Sequence, residues 1–306
     1  MIEIIATVDS IEQAQALLPL VDTIFFGEEN FGLRLPYSFS RQEQKQLVDL
    51  AHQAHKKAMV AVNGLMHLSQ MQEIPAYLQF LREIGVDKIS LGDPGIIYVM
   101  QQNSALQLPF IYDGETLVTN ARQINFWAKK GAIGAVLARE VPFAEMKLLA
   151  QQVKLPVEVL VYGATCIHQS KRTLLENYFN YTKQKEEKNK SRQLFLSEPQ
   201  HPETHYSIFE DVQGTHIFAN DDLCLMNELT QLVDSHYRTW KLDGIFSPGE
   251  NFVKIAALYN DARQKIEKNE WSEEKAQQAY QKIRQLHPQN RTLSSGFYAI
   301  DPAEIK

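Results

Sequence analysis

Short apolar runs alternate with amphipathic stretches along most of this chain. Each run is short enough for one strand, and the stretches between runs repeat apolar residues three or four positions apart, as on one face of a helix. The runs occupy residues 2–8, 22–26, 59–63, 87–91, 109–113, 133–138, 157–162 and 238–246. Alternation of strand and helix at this spacing predicts parallel strands joined by crossover helices.

Eight such units predict a closed (β/α)8 barrel of the TIM type. An open doubly wound sheet is the alternative, but that fold carries a glycine-rich first turn. The first turn here, Val8–Gln13, has no glycine. Ser10 and Ser40 precede the first two helical stretches and are placed to cap them.

The alternation is interrupted after the seventh run. Gly163 and Ala164 predict the end of that strand, and an insert follows at about residues 167–236. The insert begins with a helical segment at 173–181, and its alternating residues on both sides of Val212-Gln213-Gly214 predict a β-hairpin. We therefore predict a barrel over residues 1–263 and a helical and extended C-terminal extension, packed on the barrel, over residues 264–306.

Composition and charge describe an ordinary globular protein. The chain has 306 residues, 44% of them hydrophobic, and a formal net charge of −6, which argues against a protein that coats nucleic acid. The charge is uneven, because Ser170–Arg192 carries seven basic and three acidic residues. Such a segment can contact phosphates, whereas the alternative is a solvated loop. Lys183–Arg192 has no apolar face, so we expect it to be mobile.

The cysteine content and the N-terminal residues predict the cellular compartment of the protein. Two cysteines, Cys166 and Cys224, cannot build a disulfide framework and fit a reducing environment. The N-terminal stretch lacks a basic region before its short apolar run, so no signal peptide is predicted. No run approaches the length of a membrane span. We therefore predict a cytoplasmic protein with no membrane partner.

Polar and charged residues follow nearly every predicted strand, where barrel active sites lie. They are Arg34, Asn63, Asp93, Asp113, Glu115, Asn120, Arg139, Glu140, Tyr162, Lys241 and Asp243. Two arginines predict a clamp for a carboxylate or phosphate, because the guanidinium fork binds such groups bidentately. Structural roles remain open for some of the others. Asp93, before Pro94, also fits a helix cap, and Arg139 and Glu140 could neutralise each other.

The seventh run and the residues after it hold the densest chemistry. Glu158 lies inside an apolar strand and needs a partner, and we expect Lys241 on the adjacent eighth strand to pair with it. Cys166, His168, Lys171 and Arg172 follow. A thiolate–imidazole nucleophile would need Cys166 and His168 in contact, and nothing in their spacing requires that. The segment His201–His205 departs from the zinc-protease pattern in the position of its acid, so no metal site is predicted.

Several of these segments resemble peptidase family U32, the collagenase-like peptidases of unassigned catalytic type. The resemblance rests on FGLR at 31–34, AVN at 61–63, GDPG at 92–95, TN at 119–120, LARE at 137–140, EVLVYGATC at 158–166, ANDDLCL at 219–225 and WKLDG at 240–244. It implies a barrel fold and an activity within a range that extends from claimed proteolysis to hydroxylation of RNA or quinones.

The chain departs from the family pattern at positions that matter. Tyr162 stands where the family has His, and Thr173 where it has a second Cys. Of four cluster cysteines only Cys166 and Cys224 correspond, so the resemblance implies remnants of a cluster site, and an iron–sulfur cluster is not expected in this chain alone. The sequence identifies no cofactor.

Length and the Ser170-Lys171-Arg172 cluster are most similar to the shorter member of a Gram-positive pair implicated in hydroxylating the wobble uridine of tRNA. This implies a longer paralogue as partner and tRNA contacts through the basic insert. The alternatives are a peptidase, with Glu158, Asp93 or Asp243 as general base, and a non-catalytic scaffold. The predicted catalytic residues are Glu158, Arg139, Glu140, Lys241 and Asp243. The predicted substrate-binding residues are Arg34, Asn63, Asp93, Asn120, Tyr162, His168, Lys171 and Arg172.

The cysteine count generates a first prediction. Purified, anaerobically prepared protein should be colourless and hold no stoichiometric iron, because two thiols cannot supply the four thiolates of a cluster. Elemental analysis with size measurement checks this. A monomer that holds about four irons per chain would contradict it.

Overall fold

The computed structural model describes residues 1–114, 118–183 and 192–304. The strands in these residues are β1 (Glu3–Thr7), β2 (Thr23–Phe26), β3 (Lys57–Val62), β4 (Lys88–Leu91), β5 (Phe110–Tyr112), β6 (Gly134–Val136), β7 (Val157–Ser170), β8 (Phe195–Glu198), β9 (His201–Asp211), β10 (Gly214–Cys224), β11 (Thr239–Leu242) and β12 (Thr292–Ser294). The α-helices are α1 (Ile11–Leu17), α2 (Arg41–Gln53), α3 (Leu68–Glu83), α4 (Pro94–Gln102), α5 (Ala121–Lys129), α6 (Phe143–Ala150), α7 (Leu174–Thr182), α8 (Leu229–Asp234), α9 (Glu250–Glu267) and α10 (Glu273–Leu286).

Eight parallel strands close into a barrel, which confirms the predicted (β/α)8 fold. Strands β1 to β7 pair in chain order, and β11 lies between β7 and β1. Thr239 on β11 is the register partner of Glu3 on one side and of Glu158 on the other. The ring is therefore closed by the last barrel strand, which follows the insert in the chain.

Two apolar layers explain why these segments fold as they do. Inside the barrel, Ile5, Phe25, Met59 and Ile111 form a small buried cluster. A far larger cluster fills the space between the strands and the outer helices. Side chains alternate between these layers along each strand, so strands buried on both faces appear as nearly continuous apolar runs. Ser10 and Ser40 cap α1 and α2 as predicted.

Strand β7 does not end at Gly163, contrary to the sequence-based prediction. It continues to Ser170, and the added residues pair antiparallel with β10. A glycine is required at position 163 because the backbone of Asp243 passes close to it, and not because the chain turns there. Its φ is +131°, and a Cβ there would lie 2.5 Å from the carbonyl oxygen of Asp243. A glycine in an apolar run can thus mark a bend under a neighbouring backbone as well as a strand end.

The insert contains the predicted hairpin. Strands β9 and β10 pair antiparallel around Val212 and Gln213, and β8 pairs with β9. Residues 201–205 form the start of β9. The predicted helix at 173–181 is present as α7. The expectation of mobility in Lys183–Arg192 concerns mainly residues 184–191, which lie outside the described residues, as does Glu115.

The C-terminal extension is tied to the insert through β12, which pairs parallel with β10. Helix α9 crosses residue 263 and ends at Glu267, so the boundary drawn at residue 263 stays a prediction. Within the described part of the chain, no helix combines the length and the apolarity that crossing a bilayer requires.

A buried ion pair fastens the extension to the insert. Both carboxylate oxygens of Asp222 accept hydrogen bonds from Arg291, Oδ2 from Nε at 2.9 Å and Oδ1 from Nη2 at 2.6 Å. Arg291 also donates to Ser207 and lies over the ring of Phe246. His287, four residues earlier in the chain, shares a hydrogen bond with Tyr162, and the distance from its Nδ1 to the Tyr162 hydroxyl oxygen is 2.8 Å. These buried polar groups therefore form hydrogen bonds with one another and not with water.

This pair generates the second prediction. Arg291→Ala should lower the free energy of unfolding by roughly 3–5 kcal/mol, because the buried carboxylate of Asp222 loses both of its hydrogen bonds from arginine. Arg284→Ala, on the exposed face of α10, is the control and should change it by less than about 0.5 kcal/mol. Urea denaturation of both variants is the measurement. Equal stabilities for the two variants would show that the pair does not fasten the extension.

Candidate functional site

The carboxyl ends of the barrel strands surround a cavity that opens to solvent and has about 60 Å³ of interior space available to water-sized molecules. Seven of the predicted site residues line it: Arg34, Asn63, Arg139, Glu140, Glu158, Lys241 and Asp243. They come from loops and strands distant in the sequence, and the barrel brings them together because parallel strands all end on the same face.

Glu158 and Lys241 are buried at the floor of this cavity. Leu160 on β7 is the register partner of Lys241 on β11, so the acid and the amine lie on neighbouring strands. Lys241 Nζ is 4.0 Å from Glu158 Oε1 and 3.1 Å from the centre of the Phe25 ring. The expected pairing is thus present, at a distance too long for a hydrogen bond.

Burial shifts both groups toward their uncharged forms. Loss of water raises the pKa of the Glu158 carboxyl, and the nearby Lys241 partly offsets that rise. Loss of water lowers the pKa of Lys241 to about 8, against the opposing pull of Glu158, Asp243 and Asp113. Lys88 lowers it further. A substantial fraction of the Lys241 amine is therefore neutral, and able to act as a nucleophile or base, at pH values near 8.

Asp113 and Asn63 form one wall of the cavity. Asp113 Oδ2 accepts hydrogen bonds from Asn63 Nδ2 at 2.8 Å and from Ser90 Oγ at 3.0 Å. Asn63 Oδ1 in turn accepts from the backbone N–H of Leu33 at 2.9 Å. Asn63 therefore holds the loop that carries Arg34. Its place at the end of the third strand indicated a position near the site, but its contact with Leu33 has no sequence signal.

Arg34 and Arg139 lie at the cavity mouth. Arg139 Nη1 donates to the carbonyl oxygen of Ala164 at 2.7 Å, and Arg34 Nη1 donates to Gln169 Oε1 at 2.8 Å. Arg34 has a φ of +50°, a left-handed conformation that is uncommon outside glycine. Both guanidinium groups are thus oriented by the extended part of β7, which passes over the barrel mouth.

Three predicted substrate-binding residues have structural contacts away from the cavity. Asp93 caps α4, accepting from Gly95 N at 2.7 Å, and Asn120 caps α5. Tyr162 faces outward toward α9 because β7 carries an extra residue relative to β11: Leu160 pairs with Lys241 and Tyr162 with Leu242. This bulge changes the phase of the alternation, so that Tyr162 is buried against Tyr259 instead of entering the site.

Three further predicted residues lie on the β7 extension or directly after it. His168, Lys171 and Arg172 are exposed and do not line the cavity. Lys171 Nζ donates to the carbonyl oxygen of Val212 and to Gln213 Oε1, both at 3.0 Å. Its role in the structure is to hold the hairpin turn.

The two cysteines do not share a site. Cys166 lines the cavity, whereas Cys224 is buried near the Tyr259 hydroxyl, with an Sγ–Oη distance of 3.6 Å. Cys224 pairs with Tyr162, four positions before Cys166 on β7, which separates the cysteines by on the order of 13 Å along the strand. This arrangement does not fit a four-cysteine cluster within the chain. Among the described residues, no three His, Cys, Asp or Glu side chains are grouped as metal ligands would be.

Two glutamines that shape the site were not predicted. Gln169 contacts Arg34, and Gln213, almost fully buried, donates from Nε2 to the carbonyl oxygens of Glu29 at 2.9 Å and Asn30 at 2.8 Å. These contacts join segments more than a hundred residues apart. Nothing in a local pattern marks a glutamine for such a role.

Comparison with known proteins places these observations in a family. The model of peptidase family U32 matches residues 9–306. A Bacillus subtilis protein named tRNA hydroxylation protein P2 is 35% identical over 92% of this chain and 93% of its own length. The Escherichia coli tRNA hydroxylation protein P is 23% identical over 79% of this chain and 63% of its length. The Bacillus subtilis tRNA hydroxylation protein P1 is 28% identical over 51% of this chain and 37% of its length.

The buried amine generates the third prediction. The pKa of Lys241 is lower in the folded chain than in the unfolded chain, so between pH 8 and 10 the unfolded chain binds the extra proton and folding stability rises with pH. Relative to Lys241→Met, the native protein should therefore gain up to roughly 3 kcal/mol across this range. Urea denaturation of both proteins at several pH values measures the difference. Parallel pH profiles would contradict it.

Proposed function

This chain is a member of peptidase family U32, and we propose that it takes part in hydroxylation of the tRNA wobble uridine together with a longer homologue. The main support is its similarity along nearly its whole length to the Bacillus subtilis tRNA hydroxylation protein P2. The same bacterium also has a P1 protein, which gives such a pair a precedent.

The barrel cavity supports a role in handling a small ligand. Two arginines at its mouth suit an anionic group, because charge-assisted hydrogen bonds to a guanidinium are short and directional. Lys241 and Glu158 at its floor suit proton transfer, since burial brings both pKa values toward neutrality. In this proposal the cavity holds a small carboxylate or the target base. Arg34, Arg139 and Asn63 position it, and Glu140 and Asp243 lie beside it.

The insert would contribute the contact with RNA. Lys171 and Arg172 are exposed and directly follow the β7 extension. Basic side chains there can meet phosphates while a nucleotide approaches the barrel. The longer homologue would bind alongside and supply the cysteines that this chain lacks.

The peptidase alternative has weaker support. A general base must reach a water molecule beside the scissile carbonyl group. Glu158 lies at the floor of the cavity, below the mouth arginines, and Asp93 is occupied as a helix cap. An extended peptide would have to enter the barrel to meet Glu158. The scaffold alternative predicts normal tRNA modification when a cavity residue such as Arg139 is replaced.

The fourth prediction tests the site. Arg139→Ala should abolish wobble-uridine hydroxylation in cells while leaving the protein folded, because it removes an anion-binding group at a partly exposed position. Arg122→Ala, on the exposed face of α5, is the matched control and should modify tRNA normally. Mass spectrometry of tRNA nucleosides from complemented deletion strains, with thermal melts of the purified variants, provides the measurement.

Glu158→Ala completes this design. It should destabilise the fold, because it removes the acid beside the buried Lys241. A folded Arg139→Ala protein with normal modification would mean that the site lies elsewhere or that the chain acts as a scaffold.

A further inference from the structure

The barrel contains two lysine–glutamate pairs, one partly exposed and one buried, whose geometries differ. Near the amino ends of the strands, Lys88 Nζ donates to Glu3 Oε1 at 2.8 Å, an ordinary hydrogen-bonded ion pair. At the cavity floor, Lys241 Nζ and Glu158 Oε1 are 4.0 Å apart. Among the described residues, Glu158 Oε2 has no hydrogen-bond partner although it is buried. The second pair therefore leaves room and unused hydrogen-bonding capacity beside an amine.

The surroundings of Lys241 favour reaction at its nitrogen. Lys241 is 7% exposed as a residue and lines the cavity, and its Nζ lies over the Phe25 ring. No hydrogen bond from Nζ is formed in the part of the chain that the structure describes. A desolvated lysine in an apolar pocket is the setting in which an amine adds to a carbonyl carbon.

We propose that Lys241 Nζ condenses with the carbonyl group of a small aldehyde or ketone that bears a carboxylate, forming an imine at the cavity floor. This inference deepens the proposed function by naming a ligand class for the same cavity, and it rests on that function only in taking the cavity to be the site.

The reaction balances with the two groups present. The neutral amine adds to the carbonyl carbon, and a proton moves from nitrogen to the former carbonyl oxygen to give a carbinolamine. The Glu158 carboxyl, which carries the proton released when the Lys241 ammonium group becomes the neutral amine, then protonates that hydroxyl group, which leaves as water. The products are a protonated imine on Lys241 and a carboxylate on Glu158, which compensate each other's charge. No oxidant or reductant is required.

The carboxylate requirement follows from the cavity mouth. Arg34 and Arg139 line the same space as Lys241. Four acids line the same space: Asp113 accepts hydrogen bonds from Asn63 and Ser90, Asp243 Oδ1 accepts one from the backbone of Ile245, Glu158 lies beside Lys241, and Glu140 is exposed. A ligand with its carboxylate at the arginines directs its carbonyl carbon inward toward the amine. An uncharged aldehyde lacks this orientation.

Reductive trapping tests the proposal directly. Purified protein is incubated with glyoxylate and sodium cyanoborohydride, which reduces an imine to a stable amine, and the product is analysed by intact mass and peptide mapping. We expect one rapidly formed adduct per chain, on Lys241. Lys241→Met should lose it, and Lys241→Arg, which retains the charge, provides a second variant if the methionine variant does not fold. The surface lysines are internal controls for unselective reaction.

Two comparisons test the role of the carboxylate. Acetaldehyde, which lacks one, should label Lys241 more slowly than glyoxylate. Arg139→Ala should slow labelling by glyoxylate about tenfold, the effect of losing one charge-assisted hydrogen bond, and should slow labelling by acetaldehyde to a smaller extent. Equal rates for the two aldehydes in the native protein would overturn the proposed ligand class.

Adducts spread over surface lysines, with Lys241 unmodified in folded protein, would overturn the imine itself. This readout contains no tRNA. Trapping at Lys241 together with normal tRNA modification in a Lys241→Arg strain would therefore support the imine and count against the proposed function. Absence of trapping at Lys241, together with loss of tRNA modification in the Lys241→Arg strain, would count against the imine alone.

Discussion

Closure of the barrel by β11 is the constraint on which the rest of the structure depends. This strand pairs with β7 and β1 at once, although the insert separates it from β7 in the chain. Only this double pairing places Lys241 beside Glu158 and brings Asp243 against Gly163. Without it the seven preceding strands would form an open sheet with two unpaired edges and no enclosed cavity.

The insert extends this closed frame and shapes its mouth. Because β7 continues past the barrel into a ribbon with β10 and β9, the ribbon is rigidly attached to the strand that carries Glu158. Its turn holds the loop before Arg34 through Gln213, and Gln169 contacts Arg34 itself. The mouth of the cavity is therefore formed jointly by barrel loops and by the insert, and a change in one would be transmitted to the other.

Desolvation sets the chemistry of the cavity floor. An acid and an amine placed in water would both be charged at neutral pH, but burial opposes charge on each, and their separation limits how far mutual attraction restores it. The hydrogen-bonded Lys88–Glu3 pair shows that the same fold can bring such groups into direct contact. The gap at Lys241 is therefore a property of that end of the barrel, where side chains meet a cavity and not a packed layer.

Local patterns in the sequence determined the barrel, its order of elements and the ends of strands where charged residues gather, because alternation and capping act over a few residues. They located Arg34, Asn63, Arg139, Glu158, Lys241 and Asp243 near one face, and the hairpin at residue 213. Only the tertiary structure decided which of these residues meet. The extra residue in β7 orients Tyr162 outward. Gly163 lies against the backbone of Asp243, and the strand continues past it. Gln213 and Arg291 form hydrogen bonds with residues far away in the sequence. Such outcomes depend on strand register and on close approach between distant segments, which no local periodicity encodes.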